Sequence, residues 1–144
     1  MNGTYRHTQR GTLIILAMLG MSLVVVALGF VGHRAVWISL PIFLVAAWLF
    51  HSLTIEVTES ELHCRFGPGL IRKSVLLSDI ISARCVETNF IEGWGIHLSR
   101  FGWLYNVSGK QAVAFMMKNE KNFALGTDEP EELMRVINSC IAER

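Results

Sequence analysis

Between Leu13 and Val31 the chain runs through nineteen residues without a charge: Leu-Ile-Ile-Leu-Ala-Met-Leu-Gly-Met-Ser-Leu-Val-Val-Val-Ala-Leu-Gly-Phe-Val. Wound as a helix, such a run is about 28 Å long, close to the roughly 30 Å hydrocarbon core of a bilayer. After Gly32-His33-Arg34 a second apolar run follows, Ala35 to Phe50, broken only by Ser39 and Pro41. Arg34 and His51 can extend it into the headgroup region, with Trp37 and Trp48 near its two ends. Pro41 is expected to kink this helix. The sequence therefore predicts a transmembrane hairpin over residues 12–51, with helices at about 12–31 and 35–51. A cleaved signal peptide fits less well, because the first run is long and a second follows at once. A buried soluble hairpin would need more apolar partner surface than the remaining chain supplies.

So short a connection makes the two helices antiparallel and puts both chain ends on one side. The flank at residues 1–11 carries Arg6, His7 and Arg10, against His33 and Arg34 at the tip. The positive-inside bias then favours cytoplasmic termini. Three cysteines, Cys64, Cys85 and Cys140, without C-x-x-C spacing, read as free thiols of a reducing compartment. A net charge of +1 gives no general attraction to nucleic acid.

From Leu53 the period changes to two. Leu53, Ile55 and Val57 alternate with polar residues, and Leu62, Cys64 and Phe66 follow after Glu59-Ser60, which reads as a strand hairpin. Further strands are expected at Ile71–Leu76, at Ile81–Cys85 with Ile81, Ala83 and Cys85 on one face, at Ile96–Leu98, Trp103–Val107, Gln111–Lys118 and Asn122–Leu125. Ser78-Asp79 suggests a single helical turn. Leu133, Val136, Ile137, Cys140 and Ile141 lie on one face of a final helix. Asp128 and Glu131 have the spacing of a capping box. The expected fold is thus membrane-anchored α+β: a hairpin carrying a small barrel or two-sheet domain over residues 53–144, self-sufficient and closed by its last helix.

Chemistry is sparse. His63 and Cys64 are strand neighbours and point to opposite faces, which argues against a nucleophile–base pair. The histidines and cysteines lack metal-ligand spacing, and no phosphate-binding loop or dinucleotide fingerprint is present. No catalytic, cofactor or metal site is expected. Asn2-Gly3-Thr4 and Asn106-Val107-Ser108 match the glycosylation sequon, a match short enough to arise by chance. The most suggestive residues are Trp94, Trp103 and Tyr105, set among glycines, as a candidate interaction surface. Arg72 and Lys73, beside Gly67-Pro68-Gly69, are candidates for contact with anionic lipid.

Leu77-Ser78-Asp79-Ile80, Gly93-Trp94-Gly95-Ile96, Trp103-Leu104-Tyr105-Asn106-Val107-Ser108-Gly109 with Ala112-Val113, and Leu125-Gly126-Thr127-Asp128-Glu129-Pro130 resemble the bacterial pleckstrin-homology-like domains found behind transmembrane helices. The resemblance covers most of Leu53 to Arg144. It implies seven strands in two nearly orthogonal sheets with a closing helix, and placement at the bacterial inner membrane. It carries no catalytic motif. Phosphoinositide-binding members use basic residues around the first strand pair; here the loop is Thr58-Glu59-Ser60-Glu61, so that ligand is not expected. The expected role is a non-enzymatic interaction or scaffold module at the cytoplasmic face, partnered by another membrane protein or a second copy. An anionic-lipid sensor and an accessory subunit of a membrane enzyme are the alternatives.

Overall fold

The computed structural model describes residues 5–32, 34–89 and 95–143. His33 at the expected helix tip, Trp94 with its neighbour Gly93, and the Asn2-Gly3-Thr4 sequon lie outside them. The fold is α+β, with two sheets, an apolar helical hairpin near the N-terminus and a C-terminal helix.

Helix α1 spans Thr12–Phe30 and is long and apolar enough to cross a membrane. Only 17 % of its apolar stretch is buried, which is unlike the core helix of a soluble protein. The return limb is a 3-10 turn, Arg34–Ile38, followed by helix α2, Ser39–Leu49. By itself α2 is short. The 3-10 segment rises about 2.0 Å per residue, so the whole limb reaches about 26 Å. Pro41 falls in the first turn of α2, where its missing N–H breaks no α-helical bond. The expected kink is replaced by a change of helix type just before it. Trp37 packs over Gly29 and edge-on against Phe30, closing the hairpin near its tip.

The N-terminal flank corrects the expected domain boundary. Tyr5–Arg10 form an edge strand, β1, that pairs antiparallel with β2, Ser52–Val57. Tyr5, His7 and Gln9 face inward opposite Val57, Ile55 and Leu53, while Arg6, Thr8 and Arg10 face out. Beyond Arg10 and Ser52 the ladder gains one more rung, the Gly11 N–H donating to His51 O at 2.7 Å, and then the helices begin. The hairpin is therefore an insertion in the β1–β2 connection, with no flexible linker. Its base is sunk into the domain: Ile14, Met18 and Phe50 pack on the core, Phe50 edge-on to Phe66 at 5.2 Å. Gly67, with φ +42, lies against the carbonyls of Trp48 and Leu49, a position where a side chain has neither room nor an easy conformation.

The first sheet is completed by β3, Glu61–Phe66, and β4, Ile71–Leu76, in the order β1-β2-β3-β4. A 3-10 turn at Leu77–Asp79 leads into the second sheet. Its strands are β5 (Ile80–Glu87), β6 (Gly95–Ser99), β7 (Gly102–Asn106), β8 (Gln111–Met117) and β9 (Phe123–Gly126), in the order β5-β8-β9-β7-β6. The β7–β9 pair is parallel. The described residues thus form nine strands rather than seven. In β5 a register irregularity between Ile80 and Ser82 turns Ile81 out, so Ile80 and Ala83 face the core instead of the expected Ile81 row.

Helix α3, Pro130–Ala142, covers the second sheet with Leu133 and Ile137, both fully buried. The expected capping box is absent. The helix starts at Pro130, Thr127 Oγ1 accepts from the Glu129 N–H, and Asp128 turns away to His7. His7 Nε2 lies 2.6 Å from Asp128 Oδ1 and its Nδ1 3.2 Å from Glu129 Oε2; Tyr5 also donates to Glu129. Strand β1 is thus clasped to the start of α3. Burial first, then the charge of Glu129, holds the Tyr5 phenol above its usual range.

Between the sheets lie Leu53, Ile55, Val57, Leu62, Phe66, Phe115, Phe123 and Leu125. Cys64 belongs to this core, and burial pushes its thiol up to about 11. A protonated, enclosed thiol is unreactive. A thiol-directed reagent at neutral pH is expected to modify exposed Cys85 in the folded chain and to reach Cys64 only after unfolding. Peptide mapping after timed labelling checks this; early modification of Cys64 would mean that the first sheet opens readily. Asn106 is also buried, donating to Gly109 O and accepting from the Ser108 N–H, so its sequon is occupied in holding a turn.

Candidate functional site: a basic aromatic groove

Strand alternation separates Arg72 from Lys73. Arg72 lies on the outer face of the first sheet, beside Arg65. Lys73 lies on the inner row, opposite Cys64. Its Nζ sits 4.8 Å from the centre of the Phe123 ring and 5.3 Å from that of Tyr105, and donates to the Tyr105 hydroxyl at 3.5 Å. An ammonium in that setting is held by ring faces rather than by a carboxylate.

Lys73 forms one end of a groove of about 720 Å³ that continues along the second sheet. Two turns shape it. In the first, Ser99 Oγ accepts from the Phe101 N–H and donates to Gly102 O. Gly102 has φ +92, and a side chain there would collide with the backbone of Asn122. Glycine allows the start of β7 to close on the start of β9, and this brings Trp103 to the rim. In the second turn Asn122 Oδ1 accepts from the Met117 N–H, placing Glu120 and Lys121 on the opposite wall.

Ala112, Ala114 and Ala124 pack with Leu104 against Phe101, and of these Ala114 and Phe101 line the groove. Arg100 and Arg84 lie 4.7 and 5.9 Å from the Phe101 ring centre. Arg100 also donates to the Glu87 carbonyl. The lining carries four basic side chains, Lys73, Arg84, Arg100 and Lys121, against one acidic one, Glu120. Among the described residues neither Lys73 nor Arg84 forms an ion pair. Trp103 is half exposed, at 50 %, and stands over this groove. Tyr105 is partly buried between Phe66 and Phe123 and belongs largely to the core.

Three of the residues singled out from sequence, Lys73, Trp103 and Tyr105, therefore meet in one groove. Arg72 does not join them, and Trp94 lies outside the described residues. Sequence reasoning missed Arg84, Arg100, Phe101 and Lys121, which come from separate segments. His63 faces out, bonded to Ser74 and paired with Glu61, while Cys64 faces the core, so the two share no site. Among the described residues no three of His, Cys, Asp and Glu gather as metal ligands would. The groove offers cations and ring faces: it suits acidic groups that carry apolar neighbours. Comparison of the sequence with known protein families and with curated proteins finds no match.

Proposed function

We propose that the chain is a membrane-anchored, non-enzymatic interaction module that holds a pleckstrin-homology-like domain at the cytoplasmic face of a bacterial inner membrane and binds an acidic, partly apolar segment of another membrane protein. The observation that carries this reading is Trp103, half exposed on the rim of a groove whose lining is four-to-one basic. A large ring left in water beside basic side chains is a recurrent form of binding hot spot.

The ladder between β1 and β2 supports a double crossing. Those strands enter and leave the helices directly, and they can pair only if both helix ends emerge on one side. The apolar surface of both limbs and their matched lengths, about 28 and 26 Å, support the same topology. Arg6 and Arg10 favour the cytoplasmic side for that end. Two sheets closed by α3 support the pleckstrin-homology-like reading; the nine described strands are two more than a seven-stranded plan, and the β7–β9 pair is parallel.

The test is recovery of partners after crosslinking and gentle solubilisation of the full chain. Trp103→Ala is expected to lower recovery of a membrane partner at least tenfold, since a central aromatic contact contributes about 2 kcal/mol or more. Because the ring is half exposed, folding should be nearly unchanged. Equal recovery from both chains would sink the groove as the contact surface. In the same cells, a reporter active only outside the cytoplasm and fused after Arg144 should stay silent.

A further inference from the structure

The outer face of the first sheet has a charge gradient along its strands. Nearest the helices, Arg10 stands opposite Ser52 at the last β1–β2 pair. One row farther, about 7 Å along the strands, Thr8, Thr54, Arg65 and Arg72 lie side by side, with the two arginines directly opposite each other. The next row sets Arg6 opposite Glu56 with His63 beside it, and only beyond that do Glu61 and the Glu59 turn make the far end acidic. Like charges placed opposite across a strand pair are unfavourable by themselves. Among the described residues none of Arg10, Arg65 and Arg72 is in an ion pair.

The turn joining the two arginine-bearing strands, Gly67–Leu70, rests on the carbonyls of Trp48 and Leu49 at the end of α2. At its end, next to β4, Leu70 is 70 % exposed. The positive end of the sheet, an exposed leucine and the foot of the apolar hairpin thus coincide.

We propose that this corner is a docking site for anionic phospholipid headgroups of the same bilayer. Arg65 and Arg72 share a lipid phosphate, Arg10 stands on the row nearer the hairpin, and Leu70 enters the interface. This rests on the membrane-crossing reading of the hairpin, and it adds a consequence: the domain is pinned by one corner, which fixes the direction in which the Trp103 groove opens. Lipid is favoured over a soluble anion because the three arginines occupy the two rows next to the hairpin, within reach of the leaflet's own potential.

The experiment is hydrogen exchange on the full chain in nanodiscs of phosphatidylcholine, with and without phosphatidylglycerol. Amides between Gly67 and Arg72 are expected to exchange roughly tenfold more slowly in the anionic discs. Arg65→Gln with Arg72→Gln should abolish that difference, and Leu70→Ser should reduce it; all three positions face outward, so the fold is retained. Equal exchange in both lipids overturns the headgroup site while leaving the anchor intact. Protection by excess inorganic phosphate in phosphatidylcholine discs overturns the lipid assignment in favour of a soluble anion. A chain that fails to enter discs overturns the membrane reading, and this site with it.

Discussion

Residues 53–144 produced alone are expected to be unfolded, whereas a chain in which Asn-Gly replaces residues 12–50 is expected to be a soluble, cooperatively melting β-rich domain. The sequence suggested that the segment after Leu53 would suffice. It lacks β1, however, and with it the inward Tyr5 and Gln9, the rungs to β2, and the clasp from His7 to Asp128 and Glu129. Uncovering the inner row of β2 and losing Tyr5 together cost about 4 kcal/mol or more, a large part of the stability of a small domain. Gly11 and His51 are the right ends for a short connection, because the Gly11 N–H already donates to His51 O, and a two-residue Asn-Gly turn spans such a bonded pair. Loss of Ile14, Met18 and Phe50 from the core should lower the melting temperature of the shortened chain without abolishing folding. Circular dichroism on the two proteins decides. A folded 53–144 fragment would show that β1 is an accessory to the sheet.

Ile137→Asp, made in that soluble background, is expected to lower stability by about 4–5 kcal/mol and leave most of the protein unfolded at room temperature. Ile137 is fully buried against the second sheet, together with Leu133, so a carboxylate there would enter an apolar core. Val136→Asp should cost less, because Val136 is only partly buried at the margin of the same core. Arg135→Asp should be mild: Arg135 is exposed and only its pair with Glu132, one turn away, is lost. Urea denaturation of the three variants reads the order directly. Similar midpoints for all three would mean that α3 is not packed on the sheet by the Leu133–Ile137 face.

Strands β2 to β4 and helix α3 were readable from the sequence because apolar residues carry their periods: Leu53, Ile55 and Val57 in one case, Leu133 and Ile137 in the other. Strand β1 was not readable. Its inward row is Tyr5, His7 and Gln9, so the alternation is carried mainly by polar side chains, and its partner lies beyond the whole hairpin. The bulge in β5 defeated a strict period of two, turning Ile81 outward. Of the groove, Trp103 and Lys73 stood out as residue types, but their meeting depends on Gly102 closing against Asn122 and on which face of β4 Lys73 takes. The second of these was available in principle, since adjacent strand residues point apart. The first is a tertiary contact that no local pattern encodes.

The placement of the helices between β1 and β2 has a consequence for how the chain is made. β1 leaves the ribosome before the helices, yet its sheet partner β2 emerges after both have been synthesised. Until then its edge, with Tyr5 inward-facing, has nothing to pair with. If the hairpin crosses a bilayer as proposed, that edge is satisfied only when both helices have inserted and returned the chain to the compartment where β1 waits. A chain threaded the wrong way leaves β1 and β2 on opposite sides of the membrane, and its domain cannot close. On that reading correct insertion is a precondition of folding, and a mis-threaded copy carries an open sheet edge and an uncovered core by which quality-control proteases can recognise it.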